Sequence, residues 1–238
     1  MDPGSSNSER ERQSAPGCLL RALAFLPALA ALAVVLLFAG RLSYWQAWVW
    51  GGINLGFSGV SYLALVKQGD LYQERFWPGP GVKGWDIVLS AWFLPLFGAL
   101  WAVAGLDGGR FHWTPPWPMG VYGFGYLGFL SSSGLIWWAL KTNRFFSSMV
   151  RIQKERGHHV VEAGPYRYLR HPGYAGGIGW ALSTALVLGS LWALLPAGGI
   201  MILLVLRTYG EDRLLQKELP GYAAYTRNVK ARLLPGLW

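Results

Sequence analysis

The chain has 238 residues, of which 53% are hydrophobic and only 14% are charged, and its formal net charge is +9. An ordinary soluble domain has about 25% charged residues, and the apolar residues here occur in blocks long enough to cross a bilayer. The composition therefore indicates an integral membrane protein. The single cysteine, Cys18, excludes an internal disulfide framework and a cysteine-rich metal cluster. Basic loops beside membrane spans more often contact anionic lipid headgroups than nucleic acid, so we expect no nucleic-acid partner.

Four transmembrane helices are predicted in residues 19–140, after a polar tail (residues 1–18) that we expect to be disordered. A cleaved signal peptide is the alternative interpretation of the first apolar block. That block is long for a signal core and more spans follow it, so we expect a retained helix. The predicted spans are residues 19–40, 44–66, 87–106 and 120–140, with Pro95 tolerated inside the third.

Residues 141–238 are predicted to form the functional core. A long polar loop ends at Pro172 and leads into two apolar segments, 173–188 and 191–206, which Gly189 and Ser190 separate. Each segment is marginal for a full crossing at about 1.5 Å per residue. We therefore expect a tight helical hairpin, and whether it spans the membrane completely stays open.

The basic residues predict the orientation of the chain. With six apolar segments, all of the 21 lysines and arginines except Arg41 and Arg110 fall on one face of the membrane. The positive-inside rule assigns that face to the cytoplasm. Both termini, the long loop and the carboxyl-terminal tail are therefore expected on the cytoplasmic side.

Residues 164–176, Gly-Pro-Tyr-Arg-Tyr-Leu-Arg-His-Pro-Gly-Tyr-Ala-Gly, are predicted to form a rigid binding loop. Pro165 and Pro172 each remove a backbone donor and restrict the preceding residue, which excludes an ordinary helix interior. Three tyrosines, two arginines and a histidine lie between the turn-forming residues. A stiff backbone with many polar side chains at a membrane boundary is typical of a ligand site.

Arg207 and Glu211 lie four residues apart at the end of the last apolar segment and so share one helix face. Such a pair by itself favours a weak surface interaction. Asp212 is expected to face solvent. The histidines lack the HExxH or Cys/His spacing of a metal site, so we expect no bound metal.

The carboxyl-terminal motifs resemble the isoprenylcysteine carboxyl methyltransferase family. The wider group includes phospholipid methyltransferases and bacterial membrane methyltransferases. The resemblance covers residues 143–238 and rests on Arg170-His171-Pro172-Gly173-Tyr174-Ala175-Gly176, Arg207 with Glu211, Gly221-Tyr222-Ala223-Ala224-Tyr225 and Leu234-Pro235-Gly236.

The resemblance implies an all-α, multi-pass membrane protein with an S-adenosylmethionine site unlike the Rossmann type. Arg207 would face the substrate and Glu211 would close the cofactor site, so these two are the expected catalytic pair. The acceptor would be a prenylated, lipidic or otherwise hydrophobic molecule that enters from the bilayer. The remaining cofactor-binding residues would be Gln153, His158, His159, Val160, Val161, Tyr166, His171, Pro172, Gly173 and Tyr174.

The identity of the methyl acceptor stays open at this point. A carboxylate acceptor needs no base, and the guanidinium of Arg207 would orient it as a planar fork. An amine would need a proton acceptor, for which Glu211 or His171 is a candidate. Phospholipid N-methylation and small-thiol S-methylation are therefore alternatives within the group. An NADPH-dependent membrane lipid or sterol reductase and a non-catalytic membrane protein are alternatives outside it.

Overall fold

The computed structural model describes residues 24–66 and 79–238, and every regular element in these two ranges is helical. The predicted tail, the start of the first span and most of the second loop lie outside the described residues. The helices are α1 (Ala24–Ala39), α2 (Trp45–Val66), α3 (Gly84–Ala91), α4 (Phe93–Ala104), α5 (Met119–Thr142), α6 (Pro172–Val187), α7 (Leu194–Glu218) and α8 (Tyr222–Asn228). A π-helical turn (Gly105–Phe111) follows α4, and two 3₁₀ turns, Lys154–Arg156 and Gly164–Arg167, lie in the long loop.

The third predicted span is interrupted between α3 and α4. Trp92 forms a turn there, and its backbone N–H bonds to Leu89 O at 3.2 Å. Pro95 has no N–H to donate to the carbonyl of Ala91, so the regular ladder loses one bond at this point. The axis nevertheless continues, because the whole stretch Gly84–Phe111 forms one helical segment of 28 residues.

Two helical stretches in the described ranges are long and apolar enough to cross a membrane, namely Gly84–Phe111 and Leu194–Glu218. Only 11% of the most apolar part of the first is buried. Its apolar side chains therefore point outward, as they do where lipid replaces water. The all-helical fold is confirmed for the described residues, but four amino-terminal spans are not, because α2 and α5 are less apolar and α1 is shorter.

The predicted hairpin is present as α6 and α7, joined through Gly189, whose φ of +68° suits a residue without a Cβ. Its tip is fixed by the fully buried carboxylate of Asp107 in the π-helical turn. Oδ2 of Asp107 accepts from the hydroxyls of Thr114 and Ser190, both at 2.6 Å. Oδ1 accepts from the backbone N–H of Thr114 at 2.7 Å. The carboxylate thus links the α4 end to the start of α7.

Helix α6 packs closely against α5 at one glycine. A Cβ on Gly176 would lie 2.9 Å from the backbone oxygen of Ser132, so any larger residue would separate the two helices.

The carboxyl-terminal tail packs against the long loop through a small apolar cluster. Its buried members are Leu215, Leu219, Tyr222, Tyr225 and Val229, with Ile152 and Val160 packed against them. This arrangement brings α8 and the loop around the amino-terminal end of α6.

Candidate active site

A cleft lies between the long loop, the start of α6 and the end of α7. Most of the predicted site residues line its wall: His158, His159, Val160, Val161, Tyr166, His171, Gly173, Tyr174 and Glu211. Three do not: Gln153, Pro172 and Arg207.

The loop at the cleft is held by the tail. The backbone N–H groups of Arg170 and His171 donate to Ala231 O and Arg232 O, both at 3.0 Å. The hydroxyl of Tyr225 donates to the backbone oxygen of Tyr166 at 2.7 Å. Two segments about 60 residues apart in the chain therefore fix each other's backbone at the site.

Pro172 occupies the first turn of α6, where a missing N–H costs nothing. Two residues later, the hydroxyl of Tyr174 donates to Oε2 of Glu211 on α7. The ring of His171 stacks on that of Tyr174, with centroids 5.7 Å apart and planes 5° from parallel. The loop and α7 therefore present a histidine, a tyrosine and a carboxylate to one cleft, and Glu211 is the only carboxylate among the described lining residues.

The prediction that Asp212 faces solvent is wrong, because its side chain is fully buried. It lies 3.0 Å from Nη1 of Arg170 and 2.9 Å from Nε of Arg232. It also accepts from the hydroxyl of Tyr222 at 3.1 Å, and Nε2 of His171 is 3.4 Å away. The helix pattern around Asp212 could not reveal this, because its cationic partners come from the loop and the tail.

Arg207 shares a helix with Glu211 as predicted, but its buried guanidinium pairs with Asp86 of α3. Nε of Arg207 is 2.8 Å from Oδ1 of Asp86, and Nη2 donates to Oδ2 at 2.9 Å. No motif in the sequence indicates Asp86, because it lies 121 residues away from Arg207 in an apolar segment. The guanidinium carbon is 5.5 Å from the ring centroid of Tyr174, so Arg207 lies one side chain behind the cleft wall.

Gln153 supports the wall from outside the cleft. Its amide nitrogen donates to Phe145 O at 2.8 Å, and its amide oxygen accepts from Nη1 of Arg156 at 2.6 Å. Phe145 in turn stacks on His158, with centroids 4.5 Å apart. The role of Gln153 in this structure is therefore to hold the backbone that presents an aromatic ring.

Burial lowers the pKa of His158 to about 4, and the charges of His159 and nearby arginines act in the same direction. His158 is consequently neutral at pH 7. Burial also raises the pKa of Tyr222 and of Tyr225, so both phenols stay protonated and act as donors.

The cleft is also lined by residues that were not among the predicted site residues. These are Asn143, Phe145, Phe146, Ser147, Met149, Val150, Arg151, Arg170, Leu215, Leu219, Tyr222 and Tyr225. Among them, Arg170, Tyr222 and Tyr225 belonged to the motifs in the sequence.

The chemistry of the wall suits a flat, partly cationic ligand. Aromatic faces attract cations through the ring quadrupole, and Glu211 adds one negative charge. In residues 24–66 and 79–238 there is no group of three or more side chains of the types that ligate metals.

Residues 126–217 match the sequence model of the isoprenylcysteine carboxyl methyltransferase (ICMT) family. The resemblance predicted from the motifs is confirmed. The match begins inside α5, includes all of α6, and ends at Lys217 near the end of α7. The loop and helix that form the cleft are thus the part of the chain that resembles this family.

Individual relatives agree with that match. The chain is 36% identical over 73 residues to the protein-S-isoprenylcysteine O-methyltransferase of Saccharomyces cerevisiae, which is 31% of this chain and 28% of that protein. It is 33% identical over 97 residues to the protein-S-isoprenylcysteine O-methyltransferase of Schizosaccharomyces pombe, covering 40% and 37% of the two chains. The chain therefore matches only about a third of the length of these curated relatives.

The structural likeness extends further along the chain. The fold is similar to the solved structure of the eukaryotic intramembrane Ras methyltransferase ICMT, with a TM-score of 0.52 and 19% sequence identity. The superposition covers 87% of this chain and 73% of that chain. The helical fold of this chain is accordingly similar to that of the matched structure.

Proposed function

We propose that the protein is an integral-membrane methyltransferase that uses S-adenosylmethionine to methylate the carboxylate of a prenylated or otherwise hydrophobic acceptor. One observation carries the proposal. His171 and Tyr174 at the start of α6 and Glu211 on α7 line a single cleft, and both segments lie within the stretch that matches the family. The curated relatives named above are protein-S-isoprenylcysteine O-methyltransferases.

The residues that line the cleft fit the chemistry of S-adenosylmethionine. Phe145, Phe146 and Tyr166 provide flat apolar surfaces for a nucleobase, and neutral His158 adds a polar ring edge. Glu211 provides the only carboxylate of the described wall, which favours a ligand with positive charge. When bound, this ligand would supply a methyl group on a positively charged sulfur.

Methyl transfer to a carboxylate needs little acid–base chemistry from the protein. An acceptor oxygen forms a bond to the methyl carbon as the carbon–sulfur bond breaks, so the two opposite charges cancel and no proton moves. The protein must hold the two reactants in line and exclude water. Tyr174 would align Glu211 at the donor, and Arg207 behind Tyr174 would orient the acceptor carboxylate.

The two reactants would approach from different sides. The cluster of basic residues on one face supports a cytoplasmic position for the cleft, the loop and the tail. The outward-facing apolar side chains of Gly84–Phe111 support entry of a hydrophobic acceptor from the bilayer. This segment contributes Asp86 and Phe93 to the surroundings of Arg207, so it lies next to the proposed point of transfer.

Calorimetric titration of the detergent-purified protein tests the proposal. We expect S-adenosylmethionine and S-adenosylhomocysteine to bind and NADPH not to bind. His171→Ala and Glu211→Gln are expected to weaken binding at least about tenfold, which corresponds to 1.4 kcal/mol. Lys83→Gln is the matched control, because Lys83 forms only a half-exposed ion pair with Glu218. Binding of NADPH alone would identify a reductase and contradict the proposal.

A further inference from the structure

Asp86 is a buried acid in an unexpected place. It lies in the first turn of α3, within a long apolar helical stretch, and its side chain is fully buried. Burying a carboxylate in a membrane helix is costly unless a partner compensates the charge. Asp86 also lies outside residues 126–217, so the family match does not account for it.

The carboxylate holds one edge of the Arg207 guanidinium. Oδ2 accepts a hydrogen bond from Nη2 at 2.9 Å, and Oδ1 lies 2.8 Å from Nε as an ion-pair contact without hydrogen-bond geometry. Nη2 also donates to the backbone oxygen of Ser148. Oδ2 of Asp86 additionally accepts from the backbone N–H of Val150 at 2.6 Å. Asp86 thus fixes both the arginine and the backbone beside it.

Two aromatic rings also lie close to the same guanidinium. The ring centroid of Tyr174 is 5.5 Å from its central carbon, and that of Phe93 is 5.9 Å away. These contacts and the Asp86 pair leave the guanidinium little rotational freedom.

The terminal nitrogen Nη1 of Arg207 makes no hydrogen bond to any residue that the structure describes, whereas Nη2 donates to Asp86 and Ser148 and Nε lies 2.8 Å from Oδ1 of Asp86. The arginine is 7% exposed, and Nη1 is not among the fully buried unpaired atoms. A two-point fork toward an acceptor carboxylate, with Nε as one prong, is therefore not available while Asp86 is in place.

We propose that Asp86 is a positioning residue that turns Arg207 into a one-point anchor for the acceptor carboxylate. The inference rests on the function proposed above and specifies how that site treats its acceptor. Asp86 directs Nη1 toward the acceptor and offsets part of the arginine's charge. The acceptor oxygen then keeps its nucleophilicity, because a strongly paired carboxylate attacks poorly.

The charge balance also distinguishes acceptor from product. The acceptor is an anion and the methyl ester is neutral, so only the acceptor is sensitive to the net charge around Arg207. Without the negative charge of Asp86, Arg207 would bind the anion more tightly but in a less reactive orientation. KM for the acceptor is therefore expected to fall while kcat also falls.

A purely structural role makes a different prediction. Val150 and Met149 line the cleft, and Asp86 fastens the backbone of Val150. If the only role of Asp86 were to hold the backbone of this part of the cleft in place, its loss would weaken binding of the methyl donor and leave the KM for the acceptor unchanged. Affinity for the neutral product would then be unchanged as well, and only donor binding would respond.

The experiment compares Asp86→Asn with the wild-type protein in detergent or nanodiscs. We expect KM for an N-acetyl-S-prenylcysteine to fall about fivefold and kcat to fall about tenfold or more, as misplacement of a reacting group does. The dissociation constant of S-adenosylhomocysteine and the inhibition constant of the neutral methyl ester should each stay within about twofold. Lys83→Gln, in the residue before α3, is the control and should leave all four constants unchanged.

Asp86→Glu keeps the charge but lengthens the side chain by one methylene. This variant is measured in place of Asp86→Asn if Asp86→Asn does not fold. Here we expect an unchanged acceptor KM and a kcat about tenfold lower. Wild-type kcat in either variant would overturn the inference, and so would a loss of donor affinity that accounts for the loss of rate. No methyl transfer to the carboxylate by the wild-type protein would instead refute the proposed function, and this inference with it.

Discussion

Replacing Asp212 by asparagine is expected to loosen the site, because Asp212 connects three separate segments of the chain. Its carboxylate contacts Arg170 from the loop and Arg232 from the tail, and it lies on α7. The same carboxylate is within reach of His171 and Tyr222, both of which line the cleft. Asparagine has nearly the same shape, so the change removes charge and one acceptor without creating a cavity.

The expected cost can be worked from the burial of the partners. Removing one member of a buried ion pair costs about 3–5 kcal/mol. The Arg170 side chain is 7% exposed and that of Arg232 is 25% exposed, so water recovers part of the loss at the second arginine. Asparagine also retains one oxygen acceptor. We therefore expect about 2–3 kcal/mol, which lowers the thermal midpoint of a chain of this size by roughly 4–12 °C.

Tryptophan fluorescence during heating provides the assay, since the chain has 14 tryptophans. All variants are compared at one scan rate, because membrane proteins commonly unfold irreversibly. Glu218→Gln is the control, because Glu218 is half-exposed in its ion pair with Lys83 and should contribute at most about 1 kcal/mol. Affinity for S-adenosylhomocysteine should fall about tenfold in Asp212→Asn only. Equal midpoints and equal affinities for the two variants would refute the reasoning.

Three further predictions concern the cleft and the hairpin tip. Tyr174→Phe removes the hydroxyl that binds Glu211, so calorimetry should show affinity for S-adenosylhomocysteine lower by about fivefold, the effect of about 1 kcal/mol; unchanged affinity would exclude this contact from the site. Asp107→Asn weakens the hydrogen-bond network that includes Ser190 and should lower the free energy of unfolding by about 1–3 kcal/mol. Ligand affinity should not change, because the hairpin tip and the cleft lie at opposite ends of α6. A large loss of affinity would contradict that separation. The pKa of His158 is about 4 in the folded chain and about 6.5 in the unfolded chain, so the unfolded chain binds the proton first as pH falls. The free energy of unfolding should therefore decline between about pH 6.5 and about pH 4. The decline, measured from unfolding midpoints, should be smaller in His158→Gln, and an equal decline would show that this imidazole titrates normally.

The helices were largely predictable because their signals are local. Apolar blocks and turn residues such as Gly189 fix where the described helices begin and end, and the hairpin of α6 and α7 follows from them. The length of α7 was not predictable in this way. It continues to Glu218 through a polar stretch in which Arg207 and Asp212 are buried against partners that lie far away in the chain.

The residues of the site could be predicted only where they belong to a motif in the sequence. The family resemblance named His171, Tyr174 and Glu211, and these three do line one cleft. The pairing of Asp86 with Arg207 spans 121 residues, and no periodicity in the sequence connects the two positions. Interactions of this kind depend on how the helices pack, which a pattern in one segment does not contain. The cytoplasmic orientation of the chain stays a prediction from its charges.

Transfer of a labelled methyl group tests the central claim most directly. The purified protein is incubated with S-adenosylmethionine carrying a tritiated methyl group, together with either N-acetyl-S-prenylcysteine or phosphatidylethanolamine, and the lipid fraction is then treated with alkali. The account predicts label on the prenylcysteine that alkali releases as methanol, because a methyl ester hydrolyses, and no such label with Glu211→Gln. Label that resists alkali, or that appears only on the phosphatidylethanolamine amine, would contradict it.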